Sequence, residues 1–195
     1  MKRDFMVFYS PFVVINLVFI LLSLNVEVVE LNALIKKTWQ ETMTSAIDIT
    51  TLGIIVNNLF VAAYLWVLPI YLMWIAFKNA RSLKEKQNML KLVYFVYLSY
   101  FIKETLTVSL SLFGFQRLNV TYLYSFLTLI MPHGLTEIGA LALTAAFATQ
   151  WMSSLINKDK FELPPKEFFL IPATLIFFSG ILETTLTPFL FRSFL

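Results

Sequence analysis

Met131-Pro132-His133-Gly134-Leu135-Thr136-Glu137-Ile138-Gly139-Ala140 sets a helix breaker, an imidazole and a carboxylate inside a run that is otherwise apolar from Tyr122 to Met152. At 31 residues and 1.5 Å rise per residue, that run would reach about 46 Å as one straight helix, against about 30 Å of bilayer hydrocarbon. It has to tilt, protrude or break. Pro132 removes an amide donor and Gly134 relaxes the backbone beside it, so the interruption is expected at Pro132-His133-Gly134. Gly134 to Met152 then nearly crosses alone, and Tyr122 to Met131 forms a half-helix that re-enters or lies at the outer face.

Four further stretches are as apolar: Phe5 to Leu24, Thr51 to Phe77, Leu92 to Phe115 and Phe168 to Phe191. Each is too long for an ordinary soluble core helix. Unpaired backbone amides are prohibitively costly in hydrocarbon, and the alternating pattern of a membrane barrel is missing, so these segments are read as helices. The expected fold is all-α: a polytopic membrane helix bundle of about five transmembrane helices. The composition agrees, with 58% hydrophobic residues, 14% charged and a mean hydropathy of +0.76. The whole chain, 1–195, is expected to be one membrane domain.

Lys2 and Arg3 ahead of the first stretch imitate a signal peptide. The apolar run is too long for that, however, and ends in Leu22-Ser23-Leu24-Asn25 without a small-residue cleavage site, so it reads as a retained span. The lipid bilayer is therefore the first partner, and a net charge of only +3 gives no support for nucleic-acid binding.

Orientation follows from the basic residues. With the N-terminus in the cytoplasm, Lys2, Arg3, Lys78, Arg81, Lys84, Lys86, Lys91, Lys158, Lys160 and Lys166 fall inside, while Lys36, Lys37, Arg117 and Arg192 fall outside and Lys103 stays within a span. With five crossings, that bias favours a cytoplasmic N-terminus and an external C-terminus in the cell membrane. The cytosolic run from Lys78 to Lys91 also suits an anionic lipid surface, at about 1 kcal/mol per basic residue. Between the first two spans, in the segment 25–46, Val28, Leu31, Ile35 and Trp39 oppose Glu30, Lys37 and Glu41, the pattern of a helix lying on a surface.

A charge at the bilayer centre costs about 2.5–3.5 kcal/mol on insertion scales, so ionisable groups within the spans should face protein or water. They are Lys103 and Glu104 in the third span, His133 and Glu137 in the fourth, and Glu183 in the fifth, with Asn57 and Asn58 adding amides in the second. His133 and Glu137 are one turn apart and share a face with Ala140, Thr144 and Ala148, a stripe polar at one end and small thereafter. Such a stripe lets another helix approach closely and should be buried. Near Glu183, Thr187 and the carbonyl freed by Pro188 gather acceptors that suit a cation or serve as packing polarity. The expected intramembrane polar cluster is His133, Glu137, Glu183, Glu104, Asn57 and Asn58.

Metal or catalytic chemistry has little footing. Cysteine is absent, there is one histidine, and neither His-Glu-x-x-His nor Gly-x-Ser-x-Gly occurs. No cofactor, metal or catalytic residue is implied.

Pro132-His133-Gly134 followed by Glu137 and a small-residue helix resembles the signature of the stage II sporulation protein M family. The asparagines of Ile55-Val56-Asn57-Asn58, and Ile181-Leu182-Glu183 ahead of Thr187-Pro188, are similar to that family's other recurrent elements and stand in the same order. Tyr64 to Met73 departs from the pattern, being aromatic and aliphatic rather than glycine-rich. The resemblance implies a polytopic inner-membrane protein that, in spore formers, belongs to a complex with peptidoglycan-degrading partners, the degrading activity residing in those partners. Three functional readings compete: a scaffold for an envelope-remodelling protein or a second copy of the chain; a small proton- or cation-coupled transporter or channel using the His and Glu residues; and an intramembrane enzyme.

Overall fold

The computed structural model describes residues 1–23, 51–79, 82–114, 127 and 131–192, and for 51–54, 57, 111–114, 131–133 and 187–192 it describes the backbone alone. The amphipathic segment 25–46 and all of 122–130 but Leu127 lie outside the described residues.

The fold is an all-α bundle. Its helices are α1 (Lys2–Ser23), α2 (Thr51–Asn79), α3 (Leu83–Gly114), α4 (Met131–Lys158) and α5 (Glu167–Arg192), and no strand occurs among the described residues. Four of them, α1, α2, α4 and α5, are long and apolar enough to cross a membrane. α3 is the longest at 32 residues, about 48 Å, but its charged start and the Lys103–Glu104 pair keep it out of that group.

α4 is the hub, packing against α1, α2, α3 and α5. Within its apolar window 67% of residues are buried inside the bundle, against 22–28% in the other three apolar helices. Sequence explains this: Ala140, Ala142, Thr144, Ala145, Ala146, Ala148 and Thr149 are all completely buried, and such small side chains let neighbours close in from several sides. The stripe expected through Ala140, Thr144 and Ala148 is thus confirmed as an interior face.

Aromatic side chains fill the space around this slender helix. Trp66 of α2 sits 6.4 Å from Trp151 of α4 and 4.5 Å from Phe169 of α5, and Phe147 stacks on Phe168 at 4.5 Å and 12°. On the other flank, Phe8 of α1 packs among Tyr94, Tyr97 and Phe101 of α3. Lipid tails are as apolar as these rings, so dispersion and hydrogen bonds, rather than removal from water, hold the helices together in a bilayer.

Pro132 and Gly134 lie in α4, which is described from Met131 on, and the expected interruption borders 128–130, outside the described residues. At its other end α4 closes on Asp159 in a left-handed conformation (φ 50°), after Lys158 in the last turn. The connection 159–166 is docked: Trp151 Nε1 donates to the Glu162 carbonyl at 2.9 Å, and Phe161 packs on Phe77 and Trp151. Lys86 at the start of α3 pairs with Asp159 and lies 4.1 Å over the Phe77 ring, which gathers the ends of α2, α3 and α4.

Candidate functional site

One glutamate of α4 lies within electrostatic reach of a glutamate on each of two other helices. Glu137 of α4 reaches Glu183 on α5 and Glu104 on α3 in this way, and Tyr100, one turn before Glu104, faces both Glu104 and Glu137. All three carboxylate side chains are half-buried. The placement follows from the helix faces. Glu137 continues the buried stripe of α4, Glu183 follows the buried Ser179 by one turn, and Glu104 adjoins the buried Thr105.

Lys103 Nζ is 3.3 Å from Glu104 Oε1, and its own side chain is 76% exposed. Among the described residues, no group of three His, Cys, Asp or Glu side chains is close enough to hold a metal ion.

Of the residues expected in the cluster, Glu137 lies within electrostatic reach of Glu104 and Glu183. Asn58 is buried on α2. The backbone of His133 is in α4 and that of Asn57 is in α2, but both side chains lie outside the described residues, as do those of Thr187 and Pro188.

Two polar contacts between α1 and α3 were not anticipated from the sequence. Tyr94 donates its hydroxyl to Asp4 Oδ1, with Arg3 Nε 3.6 Å from the same carboxylate oxygen. Further along, Ser109 Oγ donates to Asn16 Oδ1 at 3.2 Å, and Asn16 Nδ2 donates to the Phe12 carbonyl at 2.7 Å. Asn16, a lone amide in the middle of the first apolar run, was the available signal. Among the described residues, Thr105 Oγ1 and Trp66 Nε1 are buried polar atoms without a hydrogen-bond partner.

The fold is a helical bundle with four helices suited to crossing a membrane, consistent with a membrane protein. Compared with family models, curated proteins and solved structures, the chain matches none.

Proposed function

We propose that this chain is a membrane scaffold of the kind the stage II sporulation protein M resemblance implies, holding an envelope-remodelling protein at the cell membrane with its N-terminus cytoplasmic and its C-terminus outside. The observation that carries the reading is how the hydroxyls along α4 and α5 are used. Thr144 donates to the Ala140 carbonyl (2.9 Å), Thr149 to Ala145 (3.0 Å), Ser153 to Thr149 (2.9 Å), Thr184 to Gly180 (3.0 Å) and Thr185 to Ile181 (2.6 Å). Each is folded onto its own helix, so the polarity of α4 and α5 serves close packing rather than a path for solutes. The outward apolar faces, such as Val14, Leu17 and Val18 on α1, are left for lipid or a partner.

A photo-crosslinking residue at Val14 tests this in cells. The scaffold reading expects a specific adduct with an envelope-remodelling protein or a second copy. Adducts with lipid alone would remove its basis.

The electrostatic reach of Glu137 to Glu104 and Glu183 favours one second reading, a proton- or cation-coupled transporter. It expects flux in proteoliposomes that Glu137→Gln abolishes while the protein stays folded. The scaffold expects no flux from either form.

A further inference from the structure

We propose that the groove between α1, α4 and α5 binds an anionic phospholipid, one acyl chain lying along α4 and the phosphate held by Lys2. The groove has a volume of about 630 Å³, inside the range of about 300–1,000 Å³ typical of ligand pockets. Phe5, Leu135, Leu143 and Leu175 wall it with hydrocarbon, and Met1 and Lys2 bring two cations to its lining, of which the Met1 α-ammonium is paired with Asp4 Oδ2 at 3.8 Å. Its depth comes from Gly139: a Cβ built there would meet only the Tyr9 ring, at 4.0 Å, so the floor is open where any other residue would begin to fill it.

Any lipid tail could lie against an apolar wall. The cation gives the groove a preference. Asp4, the adjacent acid, is already engaged by the Tyr94 hydroxyl and by Arg3, and among the described residues Lys2 has no carboxylate partner. A free ammonium at the edge of a hydrocarbon trough matches a ligand that is apolar along its length and negative at one end. A zwitterionic headgroup brings its own cation to compete with Lys2, whereas an anionic one leaves the phosphate to it.

The test uses the full chain in detergent, given equal amounts of phosphatidylglycerol and phosphatidylcholine of identical acyl composition and read by native mass spectrometry. One retained lipid is expected, with phosphatidylglycerol favoured by about fivefold, the contribution of one lysine near a membrane surface. Lys2→Gln should bring the two lipids to parity while a lipid is still held, and Gly139→Leu should abolish retention. If Gly139→Leu does not fold, Leu175→Trp blocks the groove from the α5 side. Equal retention of both lipids by the unaltered chain, a preference that survives Lys2→Gln, or retention that survives a folded groove-filling variant would each overturn the proposal.

Discussion

Ser109 on α3 and Asn16 on α1 share a buried 3.2 Å hydrogen bond that ties the two helices together. Water cannot replace either partner there. Ser109→Ala removes a donor from Asn16 Oδ1 and is expected to cost about 0.5–1.5 kcal/mol, the range of interhelical hydrogen bonds in membranes. The double variant with Asn16→Leu should cost less than the sum of the two singles, because the second change removes the group the first leaves wanting. Unfolding in mixed micelles measures both, and strict additivity would show that the two side chains are not coupled.

Gly180 of α5 lies directly against Ile55 of α2, and a Cβ at that glycine would collide with the isoleucine side chain. Both residues are buried, and α2 and α5 pack extensively. Gly180→Val is expected to destabilise by about 1–3 kcal/mol through overpacking. Ile55→Ala in the same chain should recover most of that loss, since it vacates the volume the valine needs. Thermal unfolding of the single and double variants checks this, and failure of the rescue would place the cost in the helix backbone instead.

Glu162, in the exposed connection between α4 and α5, has its carboxyl held below the usual carboxylate range by a 3.1 Å hydrogen bond from Lys160 and by the charge of Lys158. A folded-state value below the unfolded one means that any contribution is present above the unfolded value and lost as pH falls through the folded one. The side chain is exposed, so the effect belongs to the local titration rather than to the bundle. Carbon-detected NMR of the Glu162 carboxyl should show the depressed midpoint, and Lys160→Met should return it toward the ordinary value.

Spans written as continuous hydrocarbon were readable to within a few residues: Thr51 to Phe77 is found as Thr51–Asn79, and Phe168 to Phe191 as Glu167–Arg192. The apolar stretch from Leu92 falls inside α3, which begins nine residues earlier at Leu83, because hydropathy reports the solvent a residue meets and not its backbone. The helix start was legible in another signal. Ser82-Leu83-Lys84-Glu85 has the form of a capping box, and Ser82 Oγ accepts from the Glu85 amide at 3.3 Å. The electrostatic reach of Glu137 to Glu104 and Glu183 could be expected because an acid in a span has to turn inward, which fixes the rotation of its helix. Which hydroxyl finds Asn16 or Asp4 depends on the register of α1 against α3, and one sequence holds no record of that.

Lys86 and Asp159 form an ion pair between the start of α3 and the end of α4, so the two termini share one side of the membrane whichever side that is. α5 leaves the same connection and runs 26 residues, about 39 Å, which carries Arg192 to the opposite face. The chain has no cysteine, so single cysteines report position without background. With a membrane-impermeant maleimide on intact cells, Arg192→Cys should label directly, and Lys84→Cys and Lys160→Cys only after permeabilisation. The two lines of reasoning separate in the result. Lys84→Cys and Lys160→Cys labelling from different sides would contradict the bundle itself. Both labelling from outside would leave the bundle intact and reverse the orientation drawn from the lysine and arginine bias.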